Sequence, residues 1–184
     1  MANASIGGPR ATAGTADLRE IILGAQDNLV NVLATVLGVA IGSGSTKMVA
    51  LAGLASGVAE AISMGGVLYT STCAERDLRL ANGHDEPGVR PVGLKDPLRA
   101  AVVTFVASAV AAAIPLFPFA VLPIAWAMPA AAVLSIGALF ALGGYKGRAT
   151  GRSWRRDGLQ FVAIGSLAAI ASALVGAALK TKVS

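Results

Sequence analysis

Two carboxylates stand where the chain is otherwise oily. Asp27 lies inside the run IILGAQDNLVNVLATVLGVAI (21–41), and Glu60 inside MVALAGLASGVAEAISMGGVLYTST (48–72). Each run is long enough to cross a bilayer, and neither holds a lysine or arginine that could neutralise its acid. An ionised carboxylate at bilayer depth costs about 3 kcal/mol or more, so such a residue marks a partner or a task.

Helical geometry shows what shares a face with each acid. Within about 80° of Asp27 fall Glu20, Gly24, Asn31, Thr35, Gly38 and Gly42, with Leu29, Val32, Leu33 and Val36 on the opposite side. Around Glu60 lie Gly53, Ser56, Gly57, Ser63, Met64, Val67 and Ser71. Met64 follows Glu60 by one turn, so both side chains reach the same point. Small residues at four-residue spacing, Gly38/Gly42 and Gly53/Gly57, allow close helix approach in lipid. The two stripes are expected to press on each other or on a symmetry-related copy, gathering Asp27, Asn31, Glu60, Ser63 and Met64 around one polar space. Oxygen donors with one thioether suit a borderline divalent ion such as Fe²⁺ or Mn²⁺, and a hard site for Mg²⁺ or Ca²⁺ has little use for sulfur. Taken singly, Asn28, Thr35 and Ser56 read as interhelical hydrogen bonds, and Met64 as packing.

The elements that position these residues follow from composition. The chain has 184 residues, 55% hydrophobic and only 14% charged, well below the roughly 25% charge of a soluble domain. This is an all-α integral membrane protein. The net charge of +5 sits in loops beside the spans, which is orientation chemistry rather than a nucleic-acid surface. The spans are expected at 21–41, 48–72, two within the uncharged stretch 100–145, and 159–179. Pro115, Pro118 and Pro123 place a bend near 115–125, and Asp96-Pro97 reads as a helix start. Residues 1–18 read as a disordered tail, 19–182 as one five-helix domain, with polar loops at 73–99 and 146–158. Those loops hold Arg76, Arg79, Arg90, Lys95 and Arg99, and Lys146, Arg148, Arg152, Arg155 and Arg156. The positive-inside rule then puts the N-terminus in the cytosol and the C-terminus outside. Cys73 is the single cysteine, so no internal disulfide forms.

Other chemistries fare badly. His84-Asp85-Glu86 are adjacent loop residues and read as solvated. Arg152, Arg155 and Arg156 suit anionic lipid headgroups as well as orientation. There is no GxSxG and no HExxH, so the chain is not read as an enzyme and needs no cofactor. A metal ion would be cargo, and the lipid bilayer and metal are the expected partners.

LREIILGAQDNLVNVLATVLGVAIG resembles the first helix of the vacuolar iron transporter family, with its Gly-x-x-Asp-Gly-Leu-Val run. GLASGVAEAISMGGVLYTS resembles that family's Ala-x-Ser-Met followed by Gly-Glu-Tyr-x-Ser. DPLRAAVVTFVASAVAAAIPLFPF is similar to the third helix, and ALFALGGYKGRATG with DGLQFVAIGSLAAIASALVG to the fourth-to-fifth hairpin. The resemblance, over roughly residues 19–180, implies a five-helix homodimer that exports Fe²⁺, often Mn²⁺ too, from the cytosol in exchange for protons. It implies that Asp27 and Met64 line the ion path at the dimer interface, with Ser63 matching as well. Three departures stand out. Val67-Leu68 replace the family's Gly-Glu, Asn28 replaces the Gly after the Asp, and the 27-residue loop is too short for a glutamate-rich cytosolic domain. Glu60, two turns before Leu68, is expected to substitute for the missing acid. A bacterial or archaeal cell membrane is expected, or a vacuolar one in a eukaryote. Two rival readings are a non-transporting scaffold whose acids stay protonated, and a transporter of a different divalent cation.

Overall fold

In lipid every backbone N–H and C=O must be satisfied within its own segment or a closed barrel, so apolar runs of this length become helices. A computed structural model describes residues 13–81 and 95–183. They form α1 (Ala13–Ser43), α2 (Thr46–Ala81), α3 (Lys95–Val121), α4 (Ile124–Ala149) and α5 (Trp154–Val183). All five are long and apolar enough to cross a membrane, over Glu20–Ser43, Thr46–Leu78, Pro97–Val121, Ile124–Ala149 and Trp154–Lys180.

Glycine makes two of the breaks. Gly44 (φ 62°) separates α1 from α2 and Gly151 (φ 68°) lies between α4 and α5, a conformation that costs glycine nothing and other residues dearly. Of the three prolines expected near the bend, Pro123 stands at the break, with φ −58° at the head of α4. Pro115 and Pro118 remain inside α3 with buried rings.

Helix α1 is the central element and touches all four others. Its apolar side is sealed, with Val32 and Val36 at 0% exposure and Leu33 at 1%. One core cluster joins Val32, Val36, Ala40 and Val49 to Ala112, Phe119, Ala127 and Ala131. A second joins Leu29 and Val30 to Ala111, Leu139 and Phe161.

Three boundaries differ from the sequence reading. Helix α1 begins at Ala13, inside the expected tail; α2 runs on to Ala81 and α3 starts at Lys95, so the expected 73–99 loop is helical at both ends; and the 146–158 loop contracts to a turn between Ala149 and Trp154. Loss of hydropathy marks where lipid ends, while a helix continues as long as its residues form helix well, as Ala, Glu, Arg and Leu of AERDLRLA do. Asp96 lies within α3 rather than ahead of it, although Pro97 keeps its place in the first turn. His84, Asp85, Glu86 and Arg90 fall outside the described residues, as do residues 1–12 of the expected tail.

Candidate functional site

The α1–α2 hairpin turns at Gly44, and Asp27 and Glu60 stand almost equally far along its two arms. Antiparallel helices therefore bring them to one level. Asp27 lies seven residues into the span that begins at Glu20, about 10 Å below that end at 1.5 Å per residue. The Glu60 carboxyl lies beside the Asp27 carboxyl and the side-chain amide of Asn31, close enough to interact with both. Asn31 follows Asp27 by one turn, which puts both on the same stretch of α1. Two ionised carboxyls side by side repel each other, and a divalent cation placed between them removes that repulsion.

The cluster is open to the outside of the helix bundle. Asp27 and Asn31 are exposed and Glu60 is half-buried. Apolar Leu23 (42% exposed) and Val67 (52%) share the faces of the two acids. Ser63 is exposed three residues beyond Glu60, whereas Met64 is buried. Among the described residues, no group of three or more His, Cys, Asp or Glu could hold a metal ion. Two carboxylates and neutral donors are what this cluster offers.

The glycines do not press the two stripes together. A Cβ added at Gly38 would collide with Ser172 of α5, one at Gly176 with the Gly38 carbonyl, and one at Gly42 would lie 3.3 Å from the Gly176 carbonyl. An added Cβ at Gly53 would meet Leu116 at 2.5 Å and Val36 at 2.8 Å, and one at Gly57 would meet Ala112 at 3.0 Å. Thus Gly38 and Gly42 of α1 serve α5, Gly24 serves α3 at Thr104, and Gly53 and Gly57 of α2 serve α3 and the greasy side of α1. Helical spacing identifies a face that permits close approach, but the crossing of helices decides who approaches. The stripe that is open at Asp27 is covered by α5 three turns later.

Beside the acids sits a fully buried amide. Asn28 Nδ2 donates to the Gly57 carbonyl at 2.9 Å, to the Ser108 carbonyl at 3.1 Å and to Ser108 Oγ at 2.9 Å. The interhelical role expected from its type is the one it has. On the opposite side of α1, a crevice of about 550 Å³ between α1, α3 and α4 is lined only by aliphatic side chains, among them Ile21, Leu29, Val106, Val110, Ile114 and Leu142. It offers a cation no ligand, which leaves the Asp27 side as the polar one.

One buried acid escaped the sequence reading. Asp157, in the first turn of α5, is 3% exposed. Its oxygens lie 4.0 Å from Lys146 Nζ and 4.0 Å from Arg152 Nε. Lys146 also lies 5.1 Å from the centre of the Phe161 ring, and Arg148 and Arg155 flank Trp154 at 5.5 and 5.3 Å. The signal was present: Asp157 is the one acid in KGRATGRSWRRDG. These cations neutralise an acid and cover aromatic rings, in addition to any part in orientation.

The model of the VIT family matches residues 18–88 and 83–177. Vacuolar iron transporter homolog 1 of Oryza sativa subsp. japonica is 34% identical over 117 residues, covering 60% of this chain and 50% of the rice protein. Vacuolar iron transporter homolog 5 of the same plant is 32% identical over 102 residues, 54% of this chain and 49% of its own length. The chain spans about half the length of these curated relatives. With the family match extending over all five membrane-length helices, the chain belongs to the VIT family.

Proposed function

We propose that the protein carries a divalent transition metal, Fe²⁺ or Mn²⁺, out of the cytosol in exchange for protons. One observation carries this reading: Asp27 and Glu60 stand side by side, close enough to interact, within membrane-length helices. Burial in a medium of low dielectric disfavours two adjacent carboxylates, and a bound dication favours them. Metal and proton then compete for one place, which is the least that exchange requires. The names of the rice relatives support iron as the cargo.

Asp27 and Glu60 act as charged ligands, Asn31 as a neutral oxygen donor, and Ser63 and Met64 as donors further along α2. Glu60 stands in for the acid missing at Leu68. Homodimerisation fits the open face, because exposed Asp27 and Asn31 would otherwise meet hydrocarbon at a cost of about 3 kcal/mol for a charged acid. A second copy facing the first would double the carboxylates and complete the shell. The arginines of α2's end and of the α4–α5 turn place those ends in the cytosol, with the C-terminus outside.

The test is uptake into proteoliposomes under a proton gradient, with Fe²⁺, Mn²⁺, Co²⁺ and Zn²⁺ compared. Saturable flux of Fe²⁺ or Mn²⁺ that collapses when the gradient is dissipated is the expected result. Absence of flux for all four ions, from protein that is folded and inserted, would return the acids to the role of scaffold hydrogen bonds.

A further inference from the structure

We propose that Asn28 is a positioning residue for the Asp27–Glu60 pair, setting the distance between α1 and α2 at which both carboxyls reach one ion. The inference rests on the metal-transport reading above. Asn28 is 0% exposed, and its amide nitrogen meets three acceptors: Gly57 O at 2.9 Å, Ser108 O at 3.1 Å and Ser108 Oγ at 2.9 Å. Two of these are backbone carbonyls, which only accept, so the nitrogen must face them and the amide has one orientation. Asn28 directly follows Asp27, and Gly57 precedes Glu60 by three residues. The bond from Asn28 to Gly57 therefore ties together the two turns that carry the acids. The bonds to Ser108 anchor that junction to α3, so α1 cannot slide on α2 without breaking contacts to both neighbours.

The contact sites explain why the tie falls here. The approach is tight, since a Cβ on Gly57 would lie 3.0 Å from Ala112 Cβ and 3.4 Å from Val32 Cγ2. Without a side chain at Gly57, the amide reaches the α2 backbone itself, and no rotamer of α2 can loosen the link. Side-chain to backbone bonds of this kind hold register more firmly than contacts between two flexible side chains. Asn28 is not among the side chains acting on the Glu60 carboxyl, and acts through the turns it joins.

The experiment uses the full-length protein purified in detergent, with Mn²⁺ affinity measured per folded protein and the visible absorption of bound Co²⁺ recorded. Wild type, Asn28→Ala, Asn28→Ser, Ser108→Ala and Asp27→Ala are compared. Asn28→Ala is expected to weaken Mn²⁺ at least about tenfold, as loss of an outer partner of a metal ligand does, and to change the Co²⁺ spectrum. Ser108→Ala keeps both carbonyl acceptors, so it should shift affinity by less than about threefold with the wild-type spectrum. Should Asn28→Ala fail to fold, Asn28→Ser, a shorter hydroxyl donor, is expected to show the same losses in smaller measure. A merely structural role would lower thermal stability and leave affinity and spectrum alone. Affinity within about twofold of wild type and an unchanged Co²⁺ spectrum in the folded Asn28 variant overturn the inference. If wild type binds Mn²⁺ and Asp27→Ala does not, that failure belongs to Asn28 alone. If wild type and Asp27→Ala are equally unable to bind, the transport reading falls and takes this inference with it.

Discussion

Asp157 and Asp27 are aspartates on helices of the same bundle, and the fold treats them in opposite ways. Asp157, at the edge of the α4–α5 hairpin, is buried and has Lys146 and Arg152 each 4.0 Å away. Asp27, well inside its span, is exposed on the protomer and has for company a second acid and an amide. An acid that serves the fold is supplied with its own cations and closed off. An acid that is denied a cation and left on an open face is stable only if something mobile supplies the charge. On the proposed reading, the contrast assigns transport to the α1–α2 hairpin and stability to the α4–α5 hairpin.

The largest effect is expected where the cation is missing. Asp27→Ala should lower Mn²⁺ flux in proteoliposomes at least about a hundredfold, more than removal of an outer partner brings, while membrane abundance stays at the wild-type level. Flux above a tenth of wild type in that variant would erase the distinction between the two acids. The next largest falls on packing that bears on neither. Gly176→Leu drives a side chain into the Gly38 carbonyl, and overpacking of a close contact costs about 1–3 kcal/mol or more. Thermal unfolding in detergent should show the loss, together with separation of α5 from α1.

Asp157→Ala sharpens the comparison from the other side. A lysine is left without its counter-charge, but Lys146 is 31% exposed and Arg152 73%, so the loss should be about 1–2 kcal/mol, below the 3–5 of a fully buried pair. The midpoint of unfolding should fall while Mn²⁺ affinity of the folded fraction is unchanged. A selective loss of metal binding would mean that Asp157 belongs to the ion path. Arg152→Ala is the smallest change, at most about 0.5 kcal/mol for an exposed partner, and is read from the same unfolding curves.

Much of this was legible in the residues. Hydropathy located all five spans because apolar length is what a bilayer demands, and the isolation of Asp27 and Glu60 among oily residues singled them out. The ends of the helices were not legible, because Arg76 or Lys146 closes a span without closing a helix. The partners of Gly38, Gly42, Gly53 and Gly57 were out of reach for a related reason: a helical wheel describes one helix, and α1 turned out to have neighbours on several sides. Asp157 was hidden by its surroundings, since a lone acid among arginines looks like solvated charge until α4 and α5 are seen to close over it. Asn28 was recognisable as an interhelical hydrogen bond, but its acceptors Gly57 and Ser108 are 29 and 80 residues away, and no local pattern announces them.

The central claim is that one proton and one metal ion exchange at the Asp27–Glu60 pair. It is tested most directly by adding Mn²⁺ to the purified protein in weakly buffered solution and counting the protons released. Where proton and metal compete for one pair of carboxyls, binding should expel about one proton per Mn²⁺ bound, and the double variant Asp27→Asn, Glu60→Gln should bind no Mn²⁺ and release none. Mn²⁺ binding without proton release, or equal binding by the double variant, would contradict it.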